Sequence, residues 1–216
     1  MSDRAYCVCC GMQVDVVQIS TSISAGGEGG AIPRCAVCGY AIDPQLMNLQ
    51  HLTPAAAQVP GAGGQKMHLP CVILAEDMVL IRNTIKELLI ADEIADAVDT
   101  CSNGQEFIST LNARVQARQP VSLVIMDIMM PGINGLQAAL TMRNLEGKFQ
   151  REPTPIIFFS GVVCDEKLRG HMRGAAPAVY LNKGSSASPD EMKGRLRRII
   201  NRVINKPETV FKSRTR

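Results

Sequence analysis

Val121-Ser122-Leu123-Val124-Ile125-Met126 is an apolar run that delivers a single carboxylate, Asp127, before the chain breaks at Met130-Pro131-Gly132-Ile133-Asn134-Gly135. A short continuous apolar stretch bounded by Pro and Gly reads as a strand buried on both faces of a parallel sheet. An acid at its carboxyl end sits where open α/β sheets place their ligands. Alone, Asp127 reads equally well as a turn residue that ends a strand. The flanking sequence decides between the two.

Outward from this run, strand and helix patterns alternate. Cys71-Val72-Ile73-Leu74-Ala75 reads as a buried strand, followed by a helix with Ile81, Ile85, Leu88 and Leu89 on one face. A weaker strand at Ile94 to Val98 leads to a helix carrying Phe107, Ile108, Leu111 and Val115. After the Val121 to Met126 strand comes a helix with Leu136, Ala139, Leu140 and Met142. Pro155-Ile156-Ile157-Phe158-Phe159 is a fourth strand and Ala178-Val179-Tyr180-Leu181 a fifth. The last helix opens on a capping box, Ser188-Pro189-Asp190-Glu191, and continues with Met192, Leu196, Ile199, Ile200 and Val203 at helical spacing. Five strand-helix units in about 135 residues imply an α/β fold, a doubly wound parallel sheet with helices on both faces.

The carboxyl ends of these strands carry a distinctive set. The first ends in Glu76-Asp77, the third in Asp127, the fourth in Ser160-Gly161, and Lys183 lies two residues past the fifth. One sheet edge brings them together although 107 positions separate Glu76 from Lys183. Carboxylate pairs at about 4 Å and an effective dielectric near 20 repel by roughly 4 kcal/mol. A hard divalent cation relieves that cost, and an oxygen-only set suits Mg²⁺. Lys183 adds a point charge for a phosphoryl group and Ser160 a hydroxyl donor. Taken singly, the acid pair reads as a helix N-cap, Tyr180 as core and Lys183 as a surface lysine. Together they form a site for making and holding an aspartyl phosphate.

These elements are Glu76-Asp77, Asp127-Ile-Met-Met-Pro131-Gly-Ile-Asn-Gly135, Ser160 with a small residue after it, and Tyr180-Leu-Asn-Lys183. In this order and at these spacings the chain resembles the response-regulator receiver family of two-component signalling, over about Leu69 to Ile204. The resemblance implies a flavodoxin-like five-stranded sheet of order 2-1-3-4-5, the order shared with the chemotaxis receiver. It implies that Asp127 accepts phosphate from a histidine kinase or histidine phosphotransfer protein. Asp77, Asp127 and the backbone carbonyl of Met129 would hold Mg²⁺, with Glu76 ligating through water. Ser160 and Lys183 would bind phosphoryl oxygens, and Tyr180 would be the aromatic switch that swings inward as Ser160 moves. Gly161 replaces the family's usual Ala, and Gly184 the Pro that normally follows the lysine. Met129 and Val162 occupy the positions two after the phosphoacceptor and two after the hydroxyl residue, flanking the path of the hydrolytic water. Neither can orient a water by hydrogen bonding, so slow self-dephosphorylation is expected.

The N-terminal third has another character. Cys7-x-x-Cys10-Gly11 and Cys35-x-x-Cys38-Gly39 are separated by 24 residues. Each knuckle can turn backbone amides toward its sulfurs, and four thiolates match a closed tetrahedral zinc site. The segment resembles a zinc ribbon, with Val14, Val16 and Ile19 on a strand and a Ser/Gly-rich loop from Ser20 to Gly30. Iron is an alternative, since thiolates alone do not separate it from zinc, and spacing alone leaves Cys9 open as a competing ligand. Cys71, Cys101 and Cys164 read as core residues. The expected organisation is a ribbon at 1–43, a short helix with Leu46, Leu49 and Leu52 plus a flexible linker at 44–68, a receiver at 69–205, and a basic tail at 206–216.

The 216 residues carry a net charge of only +3, too mild to imply a nucleic-acid partner. Residues 1 to 69 hold three Lys/Arg against four Asp/Glu, whereas Lys193 to Arg216 hold nine against Glu208 alone. No apolar run nears the roughly 18 residues of a membrane span, and the N-terminus lacks a secretory core, so a cytoplasmic protein is expected. No recognisable helix-turn-helix, cyclase or other output pattern follows the receiver, so no such output is expected. The expected role is a non-enzymatic regulator acting through phosphorylation-controlled protein interaction, with an unknown downstream partner and a possible phosphorylation-dependent homodimer. Alternatives are a DNA-binding transcription regulator using the ribbon and a phosphorelay intermediate. The weak acidity of residues 1 to 69 argues against the first. His51, His68 and His171 lie in no phosphotransfer pattern.

Overall fold

The Val121 to Met126 run becomes the central strand of a parallel sheet in the computed structural model, which describes residues 4–7, 12–20, 31–35, 68–162, 164–184 and 189–205. The chain divides into two compact units, Met1–Gly64 with Val163–Asp165, and Gln65–Val162 with Glu166–Arg216.

In the first unit, β1 (Arg4–Cys7), β2 (Met12–Ser20) and β3 (Ala31–Cys35) form an antiparallel sheet in that order. Cys7 closes β1 opposite Met12, and Cys35 closes β3 opposite Val16. The expected strand through Val14, Val16 and Ile19 is β2. Cys9, Cys10 and Cys38, the helix and linker expected before His68, and the basic tail lie outside the described residues.

The second unit alternates β4 (Val72–Ala75), α1 (Val79–Ala91), β5 (Val98–Cys101), α2 (Gly104–Gln116), β6 (Leu123–Met126), α3 (Gly135–Lys148), β7 (Ile156–Ser160), α4 (Glu166–Arg173), β8 (Ala178–Asn182) and α5 (Pro189–Asn205). The sheet order is β5-β4-β6-β7-β8, all parallel, the 2-1-3-4-5 order expected. The three inner strands are buried along their whole length, because helices cover both faces. One face of the core joins Ile85, Leu88 and Leu89 of α1 to Leu196, Ile199, Ile200 and Val203 of α5 across β4, β6 and β7.

Three details depart from the sequence reading. The second strand lies at Val98–Cys101 rather than Ile94–Val98. Ile94 and Ala95 are buried before it, Ile94 N–H closing onto the Leu89 carbonyl at the end of α1. That apolar pair plugs the core, whereas the edge strand itself carries Asp99 and Thr100. On α3 Leu140 is 43% exposed, and the inward stripe runs through Gly135, Ala138, Ala139 and Met142. Glycine at position 135 lets the start of α3 lie against the Asp127 backbone. Helix α4, too short to announce itself by periodicity, buries Leu168 and Met172, four positions apart.

At the amino-terminal edge of the sheet, an ion pair on α3 between partly buried Arg143 and buried Glu146 ties loops together. Arg143 bonds Glu146 and donates to the carbonyls of Thr154, Ala175 and Pro177. Glu146 in turn accepts the Thr154 N–H at 2.8 Å. The opposite edge is thereby left to carry chemistry.

Candidate functional site

Strand register assembles the site. Ala75 pairs with Met126, so the next residues on the two strands, Glu76 and Asp127, emerge side by side. Backbone bonds continue the ladder, Glu76 N–H to Cys101 and Asp127 N–H to Ala75. Ser160 likewise pairs with Asn182, and the following Lys183 donates its N–H to the Ser160 carbonyl at 2.9 Å.

The Lys183 ammonium spans the distance that 107 positions of sequence conceal. Its Nζ lies 2.7 Å from Glu76 Oε2 and 2.6 Å from Asp127 Oδ2. The other Asp127 oxygen accepts the Met129 N–H at 3.0 Å. Glu76 and Asp127 are 1% and 5% exposed, and Asp77 lies further toward solvent. Burial pushes the Glu76 carboxyl up to about 7; the Lys183 hydrogen bond and charge oppose this, and the Asp127 charge adds to it. Ser160 is completely buried, and its Oγ finds no hydrogen-bond partner among the described residues. An orphaned hydroxyl at the end of a buried strand invites a ligand that would bond it.

Glu76, Asp77 and Asp127 can each direct an oxygen so that all three lie within 4.8 Å of one another. An all-oxygen, largely buried set with no sulfur or imidazole fits a hard cation such as Mg²⁺.

Glycine makes the loop after Asp127 possible at two places. A Cβ on Gly135 would sit 2.0 Å from the Asp127 carbonyl oxygen, so α3 can start here only on glycine. A Cβ on Gly104 would sit 2.2 Å from the Ile133 carbonyl, so α2 presses the same loop from the other side. Asn134 and Gln137 close a reciprocal capping box at the start of α3.

Tyr180 is buried, its hydroxyl on the carbonyls of Ser160, at 3.0 Å, and Val162. Met129 is 64% exposed and Val162 partly buried. Sequence reasoning missed Arg82, which donates to the carbonyls of Glu76 and Asp77 and holds the acid loop. It also missed Asn182 and Arg195, which contact the backbone around Lys183. Their roles depend on tertiary geometry, and no spacing signals them. Among the predicted zinc ligands, Cys7 and Cys35 end strands of one sheet. Cys10 and Cys38 lie outside the described residues.

The sequence pattern of the family described as Response regulator receiver domain matches residues 72–196. A protein-glutamate methylesterase/protein-glutamine glutaminase of Desulfitobacterium hafniense is 36% identical over 95 residues, 44% of this chain and 21% of that protein. The aerobic respiration control protein ArcA of Escherichia coli K12 is 28% identical over 142 residues, 64% of this chain and 52% of that protein. The chain thus spans about half or less of these curated relatives' length. Among solved structures, the Mg²⁺-complexed receiver domain of the histidine kinase CKI1 from Arabidopsis thaliana has a TM-score of 0.53 at 20% identity, covering 62% of this chain and 91% of that one. The response regulator domain of Thermotoga maritima CheB gives 0.50 at 20% identity, covering 63% and 97%.

Proposed function

The chain belongs to the response regulator receiver family, and from that footing we propose that Asp127 accepts a phosphoryl group from a histidine kinase or histidine phosphotransfer protein. The observation that supports this most is Lys183 bonded to both Glu76 and Asp127, with a Ser160 hydroxyl that has no partner among the described residues. A carboxylate oxygen of Asp127 attacks the phosphorus of a phosphohistidine. The phosphorus–nitrogen bond breaks, the imidazole leaves with the electron pair, and an acyl phosphate forms. Lys183 then trades its bond to Asp127 for one to a phosphoryl oxygen, and the Ser160 hydroxyl donates to another. Asp77, Asp127 and the Met129 carbonyl would hold Mg²⁺, with Glu76 acting through water. When bound, the cation offsets charge on the phosphoryl oxygens.

Movement of Ser160 toward the phosphoryl group shifts the loop on which the Tyr180 hydroxyl rests, making Tyr180 the readout of the switch. Met129 and Val162 offer a hydrolytic water no hydrogen-bonding side chain, so the acyl phosphate is long-lived. A half-life of seconds in purified protein with Mg²⁺ contradicts that last point. Cys7, Cys10, Cys35 and Cys38 would hold zinc, or iron, in the amino-terminal unit. The output is a phosphorylation-controlled interaction with a downstream protein, or with a second copy of the chain, in the cytoplasm. A pull-down comparing wild type, Asp127→Ala and a Cys7/Cys10 double mutant tests this. A partner lost in Asp127→Ala, with the fold intact, is the expected outcome; identical partners in all three contradict it.

A further inference from the structure

Lys183 acts through an atom at the end of a flexible stem, yet the next residue is Gly184, at φ +81, with the least restricted backbone of any residue. Backbone preference therefore does not fix where the lysine stem begins. Two side chains grip the Lys183–Gly184 peptide instead. The Arg195 guanidinium, from α5, donates to the Lys183 carbonyl. Asn182 Oδ1 accepts the Gly184 N–H at 2.7 Å. The other end of the same carboxamide, Asn182 Nδ2, donates to the Val162 carbonyl at 3.0 Å and to the Tyr180 hydroxyl at 3.2 Å. Reversing the amide would set donor against donor at Gly184 and acceptor against acceptor at Val162, so the network fixes its orientation.

We propose that Asn182 and Arg195 are positioning residues for Lys183, together clamping the Lys183–Gly184 peptide, and that Asn182 couples this clamp to the loop after Ser160. A shift of the Val162 carbonyl is then felt at the root of Lys183 as well as at Tyr180. Neither residue touches the reacting atoms. The proposal rests on the reading of Asp127 as phosphoacceptor and deepens it.

Full-length Asn182→Ala, Arg195→Met and Arg195→Lys are compared with wild type, using acetyl phosphate as donor and saturating Mg²⁺. The maximal phosphorylation rate is expected to fall about tenfold or more in the first two, as for a displaced catalytic group. Mg²⁺ affinity, measured by calorimetry, stays near wild type, which a general loss of structure would not allow. Arg195→Lys, which keeps a cationic donor, recovers part of the rate. Wild-type rates in both Asn182→Ala and Arg195→Met overturn the proposal. If wild type itself takes no phosphoryl group, the phosphoacceptor reading fails separately, and amide exchange judges the clamp. Loss of Gly184 protection in Asn182→Ala then supports the clamp; unchanged protection overturns it.

Discussion

Glu76 shows how function strains the fold at a single side chain. It is buried beside a second carboxylate, and burial outweighs the attraction of Lys183, leaving its carboxyl raised to about 7. A carboxyl raised on folding binds its proton more tightly in the folded chain than in the unfolded one. Its contribution to stability is therefore present below the unfolded value of 4.5 and is lost as the pH climbs through about 7. In metal-free protein at pH 8, Glu76→Gln is expected to stabilise the fold, on the order of 1–3 kcal/mol, and to weaken Mg²⁺ binding. Urea titration in chelator and calorimetry with Mg²⁺ check the two halves; a lower urea midpoint contradicts the first. Asp127, Glu76, Asp77, Ser160 and Lys183 were legible from sequence because each follows an apolar strand run, and strand ends share an edge. Arg82, Asn182 and Arg195 were not, because what they hold is backbone, and backbone carries no residue-type signal.

Among the elements, the Arg143–Glu146 pair on α3 ties that helix to the loops before β7 and β8. Removing Arg143 strands a buried carboxylate, so Arg143→Met is expected to cost about 3–5 kcal/mol. The double variant Arg143→Met, Glu146→Leu recovers much of that loss, since no charge is then left unpaired. Chemical unfolding of the three proteins checks this; a single variant near wild type contradicts it. Apart from the short α4, helix and strand order in the second unit was legible because apolar period changes cleanly along the chain. The second strand slipped to Val98–Cys101 because Ile94 and Ala95 contribute core without contributing a named strand. Leu140 faces outward because the close approach of α3 at Gly135 turns Ala138 and Ala139 inward.

For the whole molecule, the two units make separable demands. The receiver supplies its own core, whereas the amino-terminal unit, which we propose holds a metal on four cysteines, is short enough that such binding would carry its folding. One zinc or iron per chain is expected, released by chelators with the exposure of the four thiols of Cys7, Cys10, Cys35 and Cys38. Burial pushes the Cys71 and Cys101 thiols up, so both stay unreactive until the receiver unfolds. Thiol titration before chelation, after chelation and in urea separates the two groups; a metal-free native chain contradicts the ribbon. Mass spectrometry of the chain after incubation with acetyl phosphate and Mg²⁺ tests most directly whether Asp127 is the phosphoacceptor. A single phosphoryl group on Asp127, missing in Asp127→Asn and without Mg²⁺, is the result predicted here. An unmodified wild-type chain, or a phosphoryl group on any other residue, contradicts it.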